Sequence, residues 1–398
     1  MSRSVESTII VPSSVTRDVI ELRRDIHLHP ELGFEEVRTA SVVADRLRRL
    51  GYEVRTGIAE TGIVGILRTN KPGRTVLLRA DMDALPIHEE SGVPFTSTVP
   101  GKMHACGHDA HVAILLGAAG MIMERKDALC GTIVLCFQPA EEGRGGAAAM
   151  VAAGLLDDPH IDAVYGLHMW SQYKSGVVLT RPGPMMAASD SIEITIKGRG
   201  GHGAQPEHTV DPIVAAAQFV TSVQTIVSRG VDPLEPAVVT IGSIHGGTIH
   251  NVIPDEVRML GTVRTFNEEL RDAMASKIES VLSGCCASSQ AGYDFNYIRR
   301  YPVTSNDAGE AAYFVDLATR TLGADNVAEQ PKIMGAEDFS FMLQRRPGCY
   351  FFLGAQLDPN VDAPHHSPRF TIDERAFEHG VRMMVALAQD APRQSSAD

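Results

Sequence analysis

The sequence has no long apolar run. Its longest, "VAILLGAAGMIM" from Val112 to Met123, falls short of the roughly 20 residues a spanning helix needs. The opening stretch "MSRSVESTIIVPSSVTRDV" offers a three-residue apolar run, shorter than a signal-peptide core. A cytoplasmic protein is therefore expected. Cysteine is sparse too: the six thiols at 106, 130, 136, 285, 286 and 349 show no disulfide-framework spacing, which fits thiols kept reduced. No Lys/Arg-rich block offsets the formal net charge of -13, so a nucleic-acid or anionic-membrane surface is not expected. That leaves a small molecule as the expected partner.

What is present reads as a soluble globular chain, 44% hydrophobic and 21% charged, with 36 glycines that suit many strand-to-helix turns. At 398 residues it exceeds the size of one hydrophobic core, so two domains are expected. Apolar residues from Asp18 to about Leu50 recur at helical spacing and predict two helices, with Gly51 as a C-cap. Beyond them "TVLLRA", "TIVLCF" and "IDAVYGL" alternate with the helical "HVAILLGAAGMIMER" and "GGAAAMVAAGLL", the sequence form of an α/β sheet. Polar clusters follow the strands, where open α/β sheets bind ligands.

The pattern changes near Asp190. "SIEITIKG" alternates as a strand and "DPIVAAAQFVTSVQTIVSRG" reads as one long helix. "AVVTIGSIHGG" and "EVRMLGTVRTF" are strands, "NEELRDAMASKIESVLSGC" a helix and "YDFNYIRRY" a last strand. This βαββαβ order is that of a ferredoxin-like sandwich. The expected organisation is a catalytic domain over 1–187 and 302–398, with the α+β domain over 188–301 inserted.

The densest chemistry is "MHACGHDAH", residues 103 to 111. The spacing of His104, Cys106 and His108 brings side chains together on an extended segment and not on a helix. Asp109 reads as the N-cap of the following helix and His111 as structural. Cys106 with His108 offers the thiolate and imidazole that a zinc-type ion takes. In "FQPAEEG", Glu141 and Glu142 follow an apolar strand. Neighbours in an extended chain point apart, so one can ligate while the other faces a reacting water, and a solvated acidic turn is the alternative. His168 is read at the end of the next strand, and "HHSP" adds His365 and His366. Cys106, His108, Glu142, His168 and His366 exceed the needs of one tetrahedral ion, which makes two ions the economical reading.

In the inserted segment, His202 stands among the glycines of "GRGGHGAQP", either as a donor to an oxyanion or as a turn residue. Asn251 in "IHNVIPDE" and Arg264 in "GTVRTF" could bind a substrate amide and carboxylate, or simply close strands.

These motifs, from "RRDIHLHPELGFEE" through "LRADMDALPI", "MHACGHDAH", "FQPAEEG", "GLH", "GGHGAQP", "HNVIPD" and "GAEDF" to "HHSPRF", resemble the dinuclear metallopeptidases and amidohydrolases that include aminoacylases, hippurate hydrolases and auxin-conjugate hydrolases. The resemblance runs over nearly the whole chain. It implies a mixed-sheet metallopeptidase domain with helices on both faces and an inserted lid domain that dimerises. Cys106, His108, Glu142, His168 and His366 would be the metal ligands and Glu141 the general base. His202 and Asn251 would serve the neighbouring subunit. Where many members carry His-any-Asp, this chain reads Asp81, Met82, Asp83, a change shared by the branch with the Cys-Gly-His motif. The thiolate favours zinc, and the branch adds manganese, cobalt and nickel as alternatives. The implied reaction is hydrolysis of an N-acyl amino acid or related amide. The rival readings are a Cys106 nucleophile with His108 as base, and a metal-binding protein without turnover.

Overall fold

The computed structural model describes residues 9–360 and 363–394. The first eight residues of the opening stretch lie outside them. The chain forms two units: the first takes the described residues up to Met185, Ser305–Pro331 and those from Asp338, the second Met186–Thr304 and Lys332–Glu337. No helix among the described residues is long and apolar enough to cross a membrane.

The first unit is α/β. Six strands, β1 (Glu53–Ile58), β2 (Gly62–Arg68), β3 (Thr75–Asp81), β4 (Thr132–Gln138), β5 (Ala163–Lys174) and β6 (Val178–Thr180), join Val327–Glu329 and Gly348–Gln356 in an eight-stranded sheet. Its order is β1-β2-β4-β3-β5, then Gly348–Gln356, β6 and Val327–Glu329. The sheet is mixed: β3 runs parallel to β4 and β5, while β2 pairs antiparallel to β1 and β4. β3 and β4 are buried at all but their first residue, which is why both read as continuous apolar runs rather than alternating ones.

Helices α1 (Ser13–Leu28), α2 (Val37–Leu50) and α3 (His108–Glu124) pack beside this sheet. α2 ends as its sequence predicts, with the Gly51 amide donating to the carbonyls of Leu47 and Arg48. Its Val43 and Leu47 are fully buried, worth about 1.5–3 kcal/mol each. α3 is buried on nearly every side because α1, α2 and the helix Phe377–Asp390 all pack on it.

The second unit holds an antiparallel sheet of Ala237–Gly246, Glu256–Thr265, Ala188–Lys197 and Gly292–Tyr301, in that order. Ile192, Ile194 and Ile196 alternate inward from the third of these and meet Phe219, Met274, Ile278 and Leu282 of the helices. Lys332–Glu337 goes with this unit, where the Ala187 amide donates to the carbonyls of Ile333 and Gly335. The long helix expected over 211–230 is interrupted at Val223, giving Pro212–Ser222 and Gln224–Gly230. Thr221 and Thr225 hydroxyls donate to the carbonyls of Ala217 and Ser222, drawing on the bonds a straight helix uses.

Candidate metal centre

The "MHACGHDAH" segment turns at Gly107, whose φ of 93° is left-handed, and α3 starts at His108. Asp109 is therefore not the N-cap. It lies inside the first turn, fully buried, accepting from Arg23 Nε at 2.8 Å and His27 Nδ1 at 2.7 Å. Burial alone would raise its pKa, but Arg23 and His27 outweigh it and hold the carboxyl below the usual range. His104 shares the alternating spacing yet joins no donor group among the described residues, and burial lowers its pKa to about 4.

Three donor groups converge in the first unit: Cys106 with His108 and His168, Cys106 with Glu142 and His366, and His108 with Glu141 and Glu142. Within each, the ligand atoms lie within 4.8 Å of one another. Cys106 Sγ is 3.5 Å from His168 Nε2, and Glu142 Oε1 is 3.2 Å from His366 Nε2. Cys106, His108 and Glu142 each belong to two of these groups, as a donor set built for a pair of ions would have it.

His108, Glu142 and His168 are held from behind. His108 Nδ1 donates to the Asp83 carbonyl at 2.9 Å, and Asp83 Oδ1 lies 3.2 Å away, while His108 Nε2 is buried without a hydrogen bond. Asp83 Oδ2 also accepts from the Glu142 amide at 2.9 Å, so one aspartate orients two donors. His168 Nδ1 donates to the Met169 carbonyl at 2.6 Å, leaving Nε2 toward Cys106. His168 does not end its strand, which runs on to Lys174. β3 pairs with β5 only as far as Arg79 and Gly166, so beyond that point β5 has no β3 partner beside His168.

The two glutamates do not face apart on extended chain. Ala140 takes a left-handed φ of 54° after β4, and Glu141–Arg144 form a short irregular turn with Glu142 at ψ 76°. Glu141 is buried and accepts from the Asp338 amide at 3.4 Å. Asp81 and His111 cluster with His108, but their atoms are committed. His111 Nε2 accepts from the Met169 amide at 2.8 Å, so Nδ1 carries the proton given to Asp81 Oδ1. Asp81 Oδ2 accepts from Arg79 Nη1 at 2.7 Å.

This Arg79 network escaped the sequence reading. Arg79 is fully buried, donating also to Gln138 Oε1 and Asp338 Oδ1, and Asp338 in turn holds the Ala147 amide. The available signal was a charged residue inside the apolar run "TVLLRA".

In the second unit, the ribbon Gly201–His202 pairs with Val252–Ile253. His202 is exposed, and its Nδ1 accepts from the Ala204 amide at 3.0 Å, which leaves Nε2–H as a donor. The Gly203 amide donates to the Asn251 carbonyl, and a Cβ on Gly203 would lie 3.0 Å from that backbone, so this glycine serves close approach. Arg264 is half-buried, forms no ion pair among the described residues, and has its pKa lowered by burial against the pull of Asp190.

Peptidase family M20/M25/M40 matches residues 77–390. The chain belongs to this family. It is 43% identical over 376 residues to thermostable carboxypeptidase 2 of Saccharolobus solfataricus, covering 93% of this chain and 94% of the relative. It is 41% identical to IAA-amino acid hydrolase ILR1-like 4 of Arabidopsis thaliana, covering 93% and 84%. A solved Bacillus subtilis structure described as a dinuclear metal binding peptidase of the M20 family superposes with TM-score 0.84 at 33% identity, covering 96% and 99%.

As an M20 member the chain is a metal-dependent hydrolase of amide bonds. Its residues fit the metal on their own terms: thiol, imidazole and carboxylate donors converge, and His108 Nε2 is buried without a hydrogen bond. The surroundings of Cys106 do not activate it as a nucleophile. Burial, then Glu142 and Glu141, push the Cys106 thiol well above its ordinary value, whereas a nucleophile needs it lowered. A bound cation reverses that field.

Proposed function

We propose that this M20 enzyme hydrolyses the amide bond of N-acyl amino acids or related small amides, releasing a carboxylic acid and a free amino acid. The observation that carries it is Glu141, a buried carboxylate that groups with His108 and Glu142 but lies outside the two groups that contain Cys106. A storage site has no use for such a group. Two divalent ions held by those five residues, zinc first and manganese, cobalt or nickel as alternatives, would polarise the scissile carbonyl and acidify water. Glu141 takes the proton of the attacking water and returns it to the departing nitrogen. His202 Nε2–H donates to the oxyanion, Asn251 binds the amide and Arg264 the amino-acid carboxylate. The second unit serves as lid and dimer contact in a cytoplasmic homodimer.

The test is metal removal with a defined substrate panel. Turnover of N-acetyl, N-benzoyl and indole-acyl amino acids should fall to background after chelation and return on adding back zinc or manganese. Undiminished turnover by protein shown to be metal-free by elemental analysis would overturn the reading.

The assignment of His202 to the neighbouring subunit has its own test. Inactive His202→Ala and inactive Glu141→Gln proteins, mixed and allowed to exchange, should recover about a quarter of wild-type activity, because about half the dimers are hybrids with one intact site of two. Hybrid dimers without activity would mean that His202 works within its own subunit or is a structural turn residue.

A further inference from the structure

One histidine of the "HHSP" motif has no part in the reaction above. His366 reaches Glu142 from an unpromising position: its side chain is 55% exposed and its backbone φ is 63°, a left-handed value that a non-glycine residue keeps only where its surroundings enforce it. His366 itself supplies little enforcement, through its amide donating to the Ala105 carbonyl at 2.8 Å. Its neighbour supplies more. His365 Nε2–H donates to the Met169 carbonyl at 3.0 Å, and its Nδ1 lies 3.5 Å from Ser171 Oγ, whose hydroxyl donates to the Ala363 carbonyl. The His365 ring lies 4.6 Å from the Trp170 ring and 5.0 Å from Phe370.

The Met169 peptide is the junction. Its carbonyl accepts from His168 Nδ1 as well as from His365, and its amide donates to His111. One carbonyl thereby sets the ring orientation of the donor His168 and anchors the loop that carries the donor His366.

We propose that His365 is a positioning residue, whose hydrogen bond to the Met169 carbonyl holds the loop so that His366 reaches the ion it shares with Glu142. The inference rests on the dinuclear reading above. Both ring nitrogens of His365 face β5, so it acts through its neighbour and touches neither ion nor substrate.

The experiment is zinc titration of the full chain against a chromophoric chelator, with no turnover involved. Wild type should bind two ions. His365→Ala should lose about 10–100-fold in affinity for one ion and leave the other unchanged, the usual scale for a residue that orients a ligand. His365→Phe keeps a ring against Trp170 but has no N–H, and should match His365→Ala. His365→Gln can donate from its own Nε2 and should recover most of the affinity. Two ions at wild-type affinity in His365→Ala would overturn the proposal. So would equal loss of both ions, or a His365→Gln variant no better than alanine, since either makes the residue merely structural. Fewer than two ions in the wild type would sink the dinuclear reading, and this inference with it, before any variant is compared.

Discussion

Glu141→Gln should lower turnover by about 10² to 10⁴ while both ions stay bound, the range for removing a general base. The amide is nearly isosteric and can still accept from the Asp338 amide, so the buried position is kept while the proton acceptor is lost. Glu142→Gln should do the reverse. Glu142 lies 3.2 Å from His366 and in one donor group with Cys106, so neutralising it removes a negative ligand and should weaken ion binding first. Elemental analysis beside steady-state kinetics separates the two. An emptied site in Glu141→Gln, with full occupancy in Glu142→Gln, would exchange the roles.

The second large effect is on stability. Arg79→Met should destabilise the first unit by about 3–5 kcal/mol, the cost of breaking a buried ion pair by removing one partner. Methionine fills much of the space, but Asp81 and Asp338 are left buried without the guanidinium that lies 2.7 and 3.1 Å from them. Burial raises the Asp81 pKa, yet Arg79, with His108 and His111, now holds it well below the usual range. A folded-state pKa below the unfolded one stabilises at neutral pH, and that contribution fades as pH falls. The difference between wild type and variant should therefore shrink in acid. Denaturant unfolding read by Trp170, the chain's one tryptophan and a member of the first unit, measures it. A loss below about 1 kcal/mol, the worth of an exposed pair, would show the network to be dispensable.

Where local sequence carries the physics, the fold could be read directly. "TVLLRA" and "TIVLCF" predict buried strands because residues covered on both faces are mostly apolar, Arg79 being the exception, and both lie inside β3 and β4. Gly51 predicts the end of α2 because few other residues tolerate its backbone angle. Errors came where a distant partner decided. Asp109 looks like a cap because nothing nearby announces that Arg23 and His27 will meet it. His168 looks like a strand end because it is the first polar residue after "IDAVYGL", whereas β5 continues against Gly348–Gln356.

The sequence by itself determined which residue types were available: thiol, imidazole and paired carboxylates set just beyond apolar strands, in the order of a dinuclear amidohydrolase. Periodicity and donor chemistry are local properties, so composition and spacing suffice for them. Only the tertiary structure decided which of these atoms are free. His111 and Asp81 carry the right donors, yet Met169 and Arg79 already occupy them, while Asp83 holds the His108 ring and the Glu142 amide. A lone pair can serve only one strong partner, and apart from Arg79, two residues from Asp81 on β3, those partners lie far along the chain.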